Sequence, residues 1–316
     1  MKATAIAHPN IAVVKYWGKR NVTLNLPAVP SISVTLDQFI TETTVEWGAH
    51  RDILILNGKE NTAVAQRVFG FLNQFDPNRP YCRVKTQNNF PTAAGLASSA
   101  SAFAALTLAA TKAAQKDLTI QQQSTIARMG SGSACRSLWG GWVEWKMGER
   151  QDGLDSHGVP LAAQDHWDIR IIVVVLQDGP KPIGSTKGMI QTQQTSPLYP
   201  GWVESAPADV EIARESIRNR DLVKLGTVME HSTLKMHGTM FATVPPIRYL
   251  KPGSFSVIEQ VEKLRLNGLS CYYTMDAGPN VKILCPASES DLIVEQVMPF
   301  AKHVHVLNVG NDACII

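Results

Sequence analysis

The chain has 316 residues, of which 44% are hydrophobic and 18% charged, a composition typical of a folded protein large enough for two domains. Its net charge of +3 is too small to favour nucleic acid as a partner. The lysines and arginines are scattered rather than clustered, which favours a small anionic ligand. The longest aliphatic run, residues 171–176, is far shorter than a membrane span, so no membrane partner is expected. Five separated cysteines without a CxxC pair predict reduced thiols and a cytoplasmic protein.

The first half of the chain is rich in predicted strands. Alternating and β-branched residues predict strands at 3–7, 11–16, 31–36, 41–47, 52–56 and 81–86. Helical spacing of apolar residues predicts helices at 62–75, 98–114 and 121–129, and an aromatic strand follows at 140–147. The polar stretch 148–167 is the predicted boundary between a first domain, residues 1–167, and a second, residues 168–316.

The second half begins with an almost continuous aliphatic strand at 169–177, a pattern typical of a strand that is buried on both faces. The sequence then predicts helices at 204–219, 222–235, 255–267 and 288–301, and strands at 270–275, 281–285 and 303–309. This order indicates an α+β fold in which helices cover one face of a mainly antiparallel sheet.

A loop of small residues at 91–100 leads directly into an alanine-rich helix. Small side chains at Ala94, Gly95 and Ala97 allow the backbone to approach a ligand closely. Ser98 and Ser99 can cap the helix or donate to phosphate oxygens, and the helix N-terminus favours negative charge. Taken alone, the segment fits both a phosphate-binding loop and an ordinary capped helix.

Four further segments carry charged or hydroxyl side chains at the ends of predicted elements. Lys15 follows four apolar residues, so it either pairs with a buried anion or extends its ammonium group to solvent. Arg136 lies in a glycine- and serine-rich turn at 130–137, and a third loop of similar composition spans 183–189. Asp276 ends a strand before Ala-Gly-Pro, which suits either a turn former or a base that accepts a hydroxyl proton.

Four of these blocks occur together in an order that resembles a known family. Residues 10–19 (NIAVVKYWGK), 88–99 (NNFPTAAGLASS), 130–137 (GSGSACRS) and 275–280 (MDAGPN) resemble the mevalonate diphosphate decarboxylases of the GHMP kinase superfamily. Ala97 stands where those kinases usually carry a glycine. The resemblance implies an N-terminal lobe like ribosomal protein S5 domain 2, a ferredoxin-like C-terminal lobe and an active site in the cleft between them. It also implies ATP and Mg²⁺ as cofactors, a phosphorylated mevalonate as substrate and a homodimer.

The same resemblance implies a role for individual residues. Asp276 matches the catalytic aspartate, Lys15 the lysine beside it, and Arg136 the arginine that holds the substrate carboxylate. The residues that match positions around the substrate phosphates are Tyr16, Lys19, Ser131, Ser133 and Ser185. The residues that match the ATP phosphate loop are Ala94, Gly95, Leu96, Ala97, Ser98 and Ser99, with Ser99 as the candidate Mg²⁺ ligand.

The implied reaction begins with phosphorylation of a tertiary hydroxyl by ATP, because an unmodified hydroxyl is a poor leaving group. Loss of the new phosphate and of carbon dioxide then gives an alkene. A kinase that stops at the phosphate ester and an inactive nucleotide-binding module are the alternatives, and the presence of both Lys15 and Asp276 favours decarboxylation. The departures His8-Pro9 and Val29-Pro30 leave open whether the substrate carries one 5-phosphate or two.

Overall fold

A computed structural model describes residues 1–90, 98–179 and 183–316 of the chain. The helices are α1 (Ala65–Phe75), α2 (Ser98–Ala113), α3 (Ile120–Gly130), α4 (Ser185–Thr195), α5 (Tyr199–Asn219), α6 (Leu222–Phe241), α7 (Pro252–Leu266) and α8 (Ser290–Val297). The strands are β1 (Lys2–Ala7), β2 (Asn10–Val14), β3 (Lys19–Asn21), β4 (Leu26–Pro27), β5 (Ser31–Thr35), β6 (Thr41–Trp47), β7 (Ile53–Leu56), β8 (Lys59–Glu60), β9 (Cys82–Asn88), β10 (Trp142–Trp145), β11 (Gly158–Ala162), β12 (Ile169–Val175), β13 (Tyr272–Thr274), β14 (Val281–Pro286), β15 (His303–Leu307) and β16 (Cys314–Ile315).

The first lobe contains two larger sheets, with strand orders β16-β1-β6-β9-β7-β8 and β11-β10-β5-β2, and a small two-stranded sheet of β3 and β4. Helix α2 packs on β1 and β6 of the larger sheet and on α3 from its other side. Because α2 is rich in alanine and buried almost all round, it approaches these neighbours closely. The short 3₁₀ turn Gly132–Cys135 lies beside it.

The second lobe is built on one antiparallel sheet with strand order β13-β14-β12-β15. One face packs against α7 and α8 through a cluster that includes Ile172, Val174 and Ile283. The other face carries Ile171, Val173 and Leu284, which belong to a different cluster. This alternation along β12 explains why the strand reads as a continuous aliphatic run.

The two lobes share a hydrophobic core. The cluster on this other face of the second-lobe sheet joins Val173 to Ile11 and Val34 of the first lobe. Val210 of α5 and Leu225 of α6 also belong to it. Helices α5 and α6 therefore lie between the sheets of the two lobes, and their packing fixes the ends of β2 and β13 relative to each other.

The structure confirms the α+β fold, and it corrects the prediction that residues 183–189 form a loop. Ser185 begins helix α4, which the sequence hid because its polar sequence STKGMIQTQQT buries only Gly188, Met189 and Thr192. Helix α6 also continues beyond the predicted end at residue 235 to Phe241. In the described parts of the chain, no helix combines the length and the apolar character needed to cross a membrane.

Candidate active site

A cavity of about 830 Å³ opens between the two lobes. The predicted site residues that line it are Lys15, Tyr16, Lys19, Ser99, Ser131, Ser133, Arg136, Ser185 and Asp276. Ser98 begins helix α2 next to the cavity-lining Ser99. The predicted phosphate-loop residues Ala94, Gly95, Leu96 and Ala97 lie outside the described residues.

At the floor of the cavity, Lys15 and Asp276 form an ion pair between positions 261 residues apart in sequence. The Nζ atom of Lys15 lies 2.8 Å from Oδ1 of Asp276, and the side chains are 1% and 25% exposed respectively. Lys15 follows β2 directly, and its Nζ also donates to the carbonyl of Ala12 at 2.8 Å. The backbone N–H of Lys15 donates to the Ser232 hydroxyl on α6 at 3.0 Å, so the shared helix holds the lysine in place.

The environment of Lys15 sets its pKa. Burial lowers this pKa to about 8, and the charges of Lys282 and Arg136 act in the same direction. The attraction of Asp276 opposes them but does not restore the usual value. The lysine is therefore still mostly protonated at neutral pH, with its charge directed at the carboxylate.

Arg136 follows the 3₁₀ turn and is fully buried. Its Nε donates to the Ser33 hydroxyl at 2.8 Å, one terminal nitrogen to the Ser31 hydroxyl at 2.6 Å, and the other to Oδ1 of Asn10 at 3.2 Å. These partners are neutral, so they orient the guanidinium group without cancelling its charge. The planar fork that results suits recognition of a carboxylate.

Two hydroxyl-bearing segments meet at the N-terminus of α2. The side-chain oxygen of Ser99, in the first turn of α2, lies 3.1 Å from that of Ser131, in the turn that follows α3. Gly132 is required at the next position, because a Cβ atom there would lie 2.7 Å from the Trp145 ring and 2.9 Å from the Tyr16 ring. The first turn of α2 and the turn after α3 thus present oxygen atoms and a helix N-terminus to the same part of the cavity, which suits phosphate groups.

Two other predicted residues bring polar groups to the cavity wall. The Tyr16 hydroxyl is buried and has no hydrogen-bond partner within residues 1–90, 98–179 and 183–316. Burial also raises the pKa of Tyr16, so the hydroxyl remains a neutral donor. Burial lowers the pKa of Lys19, and the nearby charge of Arg67 lowers it further. An anionic ligand with acceptor oxygens would therefore stabilise both side chains, because it can accept a hydrogen bond from Tyr16 and pair with the charge of Lys19.

The sequence did not single out several residues that support this site. Asn10, Ser31 and Ser33 hold Arg136, and they were hidden within strands that read as ordinary β-structure. Lys282 of β14 approaches the second oxygen of Asp276 at 3.4 Å. His237 of α6 is buried and lies near Lys15 and Asp276. For these residues the sequence offered one signal, the presence of Lys282 inside the otherwise apolar run 281–285.

The fold and the cavity define a class of protein, the GHMP kinase superfamily, in which two α+β lobes enclose a phosphoryl-transfer site. Residues 7–158 match the model of the diphosphomevalonate decarboxylase-like N-terminal domain, and residues 171–311 match that of the mevalonate 5-diphosphate decarboxylase C-terminal domain. The chain belongs to the diphosphomevalonate decarboxylase family.

Individual relatives agree with this membership. The chain is 39% identical to the diphosphomevalonate decarboxylase of Gibberella zeae, over 93% of this chain and 83% of the relative. It is also 39% identical to the Homo sapiens enzyme, over 89% of this chain and 76% of the relative.

Solved structures are similar over the whole length. The mevalonate diphosphate decarboxylase of Staphylococcus aureus has a TM-score of 0.94 at 36% identity and covers 100% of this chain and 98% of its own. A complex of MDDEF with MVAPP, AMPPCP and magnesium has a TM-score of 0.93 at 37% identity, with 100% and 99% coverage.

Proposed function

We propose that this chain catalyses the ATP-dependent decarboxylation of mevalonate 5-diphosphate to isopentenyl diphosphate, with release of ADP, phosphate and carbon dioxide. The observation that carries the proposal is the Lys15–Asp276 ion pair at the floor of a cavity to which both lobes contribute. The names of the relatives support the diphosphate rather than the monophosphate as substrate. The MDDEF complex with MVAPP, AMPPCP and magnesium supports the same combination of ligands.

In the first step, Asp276 accepts the proton of the tertiary hydroxyl as that oxygen attacks the γ-phosphorus of ATP. The bond from the γ-phosphorus to the bridging oxygen breaks, and its electron pair leaves with ADP. Lys15 holds the carboxylate in place through its 2.8 Å contact and stabilises negative charge on the transferred phosphoryl group.

In the second step, the new phosphate leaves with the electron pair of the C–O bond. The bond to the carboxylate carbon then breaks, and its electrons form the alkene as carbon dioxide departs. Arg136 holds the carboxylate in the geometry that this fragmentation needs, because its guanidinium group is already fixed by Asn10, Ser31 and Ser33.

The remaining residues bind phosphate groups. Tyr16, Lys19, Ser131, Ser133 and Ser185 are assigned to the substrate phosphates, and residues 94–99 to the nucleotide. The oxygens of Ser99 and Ser131 at the N-terminus of α2 are the hard ligands that Mg²⁺ prefers, and Ser99 is the proposed protein ligand. When bound, Mg²⁺ neutralises charge on the phosphates during the transfer.

We further propose a cytoplasmic homodimer. The five cysteines are free thiols, four of them buried, which supports a reducing compartment. The dimer is supported by the resemblance of the sequence to its family. Analytical ultracentrifugation of the 34.5 kDa chain distinguishes a dimer from a monomer directly.

The test of the activity is an assay of the purified protein with Mg²⁺-ATP and either mevalonate 5-diphosphate or mevalonate 5-phosphate, scoring ADP and carbon dioxide together. We expect equal amounts of both products from the diphosphate. The Asp276→Asn variant is the control and should lose about three powers of ten in kcat, roughly 4 kcal/mol of barrier. ADP without carbon dioxide would identify a kinase, turnover of the monophosphate alone would identify the other substrate, and no product from either would contradict catalysis.

A further inference from the structure

Lys282 is a charged residue inside an otherwise apolar strand. It lies in β14 at the centre of the second-lobe sheet, and its side chain is only 1% exposed. Its cross-strand neighbours are Val173 on β12 and Thr274 on β13, and neither carries a charge. Burial of a lysine in such surroundings is unfavourable unless an anion lies beside it.

The anion beside Lys282 is Asp276. The Nζ atom of Lys282 lies 3.4 Å from Oδ2 of Asp276, and Lys15 lies 2.8 Å from Oδ1. The two lysines come from opposite lobes, so the carboxylate is held between a cation on each of its oxygens. Its 25% exposed surface faces the cavity.

We propose that Lys282 is a positioning residue for phosphoryl transfer, which holds the second oxygen of Asp276 while Lys15 holds the first. This inference depends on the proposed function, because it assigns Lys282 to the same carboxylate. The terminal torsion of an aspartate is broad, so one contact alone leaves the carboxylate free to rotate. A contact at each oxygen fixes its plane and directs the remaining lone pairs at the substrate hydroxyl.

The charges around Asp276 agree with this role. Lys15, Lys282 and Arg136 carry three positive charges against the single carboxylate. His237 on α6 adds no charge at neutral pH, because burial lowers its pKa to about 4. The floor of the cavity is therefore cationic at neutral pH and favours anionic substrates. Lys282 also repels the proton on Lys15, which lowers the pKa of Lys15.

The test compares Lys282→Met with Lys235→Met in the decarboxylation assay. Lys235 is the matched control: its Nζ lies 2.7 Å from Asp209 Oδ2, its side chain is 18% exposed, and it does not line the cavity. We expect Lys282→Met to lower kcat by about tenfold or more, with both KM values changed by less than about threefold. Lys235→Met should lower the melting temperature and leave kcat unchanged.

The pH profile separates positioning from a merely structural role. Removal of the Lys282 charge should move the alkaline limb of kcat/KM to higher pH, because the pKa of Lys15 rises, and Lys282→Arg should restore the wild-type limb. A Lys282→Met enzyme with wild-type kcat and an unmoved alkaline limb overturns the proposal. So does a loss of folding in both Lys282 variants while Lys235→Met folds, since the lysine is then structural. If the wild-type protein itself releases neither ADP nor carbon dioxide, the proposed function fails instead.

Discussion

The side chain of Lys15 shows how burial and an ion pair oppose each other at one atom. Its ammonium group lies 2.8 Å from the Asp276 carboxylate, which favours the charged form. It is also almost completely buried and faces two further cations, which favour the neutral form more strongly. The lysine is therefore a charged group that can lose its proton within a moderately alkaline range.

The first prediction concerns the activity at alkaline pH. Since the charged form of Lys15 holds Asp276 and, in the proposed mechanism, stabilises the phosphoryl group, kcat/KM should fall as the pH rises through about 8, the pKa of Lys15 in the free protein. Bound phosphates add negative charge near the ammonium group, so the corresponding fall in kcat should occur at higher pH. Steady-state kinetics between pH 6 and 10 measure both limbs. A kcat/KM that stays level across this range contradicts the assignment.

His237, unlike Lys15, is neutral at neutral pH, although it lies near the same charged groups. Burial lowers its pKa to about 4, and Lys15 acts in the same direction, whereas Asp276 and the backbone of Met275 act against them. The unfolded chain has the ordinary histidine pKa of about 6.5, so between these values the unfolded state binds a proton that the folded state does not.

The second prediction follows from this difference. As the pH falls from about 6.5 to about 4, His237 should reduce the free energy of unfolding by about 2 kcal/mol or more, and the effect should level off below that range. The decrease in the free energy of unfolding between pH 7 and pH 4.5 should be smaller by this amount in His237→Gln than in the wild type. His231→Gln, on the exposed face of the same helix, should behave like the wild type. Urea unfolding at the two pH values measures the difference, and identical losses in all three proteins contradict the prediction.

At the level of single residues, the sequence predicted those site residues that stand out in a local sequence pattern. Lys15 after an apolar strand and Arg136 in a glycine–serine turn are visible without a structure. Lys282 and His237 were not recognised, because no local pattern tells which face of a buried strand or helix meets the other lobe. The meeting of Lys15 with Asp276 depends on the whole topology, and only the family resemblance indicated it in advance.

At the level of elements, predictions succeeded where the periodicity was strong. The strand predicted at 41–47 has the same bounds as β6, whose side chains alternate between buried and partly exposed positions. Helix α4 was missed because its sequence is polar and buries few side chains. The strands β3, β8 and β16 escaped prediction because they are only two or three residues long, too short for an alternating pattern.

Helix α6 is the element that transmits packing from the shared core to the site. Gly226 lies directly against the ring of Tyr272 in β13, and a Cβ atom there would come within 2.0 Å of it. Strand β13 ends two residues before Asp276, so the separation of helix and strand sets the position of the carboxylate. A Cβ atom on Gly238 of the same helix would instead point into open space, with no neighbouring element of the described chain within 4 Å.

The third prediction compares alanine at these two glycines. Gly226→Ala should destabilise the protein by about 1 to 3 kcal/mol, because the ring must shift, and it should also lower kcat as Asp276 moves. Gly238→Ala should be neutral or stabilise by up to about 1 kcal/mol, since alanine favours a helix. Urea unfolding and the decarboxylation assay measure both effects. An unchanged stability in Gly226→Ala contradicts the described contact between α6 and β13.

At the level of the whole molecule, the shared core makes the lobes interdependent. Ile11 and Val34 of the first lobe and Val173 of the second belong to one cluster, with α5 and α6 between them. The end of the chain also returns to the first lobe, where β16 pairs with β1. The boundary at residues 167 and 168 remains a prediction of the sequence, and the contacts that cross it are extensive.

The fourth prediction is that the two lobes unfold together. Separation of the lobes would expose the cluster on α5 and α6 to water, so a state with one lobe unfolded should be too unstable to accumulate. Tryptophan fluorescence, which includes Trp142 in this cluster, and far-UV circular dichroism should therefore give superimposable urea transitions. Two transitions separated by more than about 0.5 M urea would instead show that each lobe is stable without the other, and that the cavity between them rests on a separable interface.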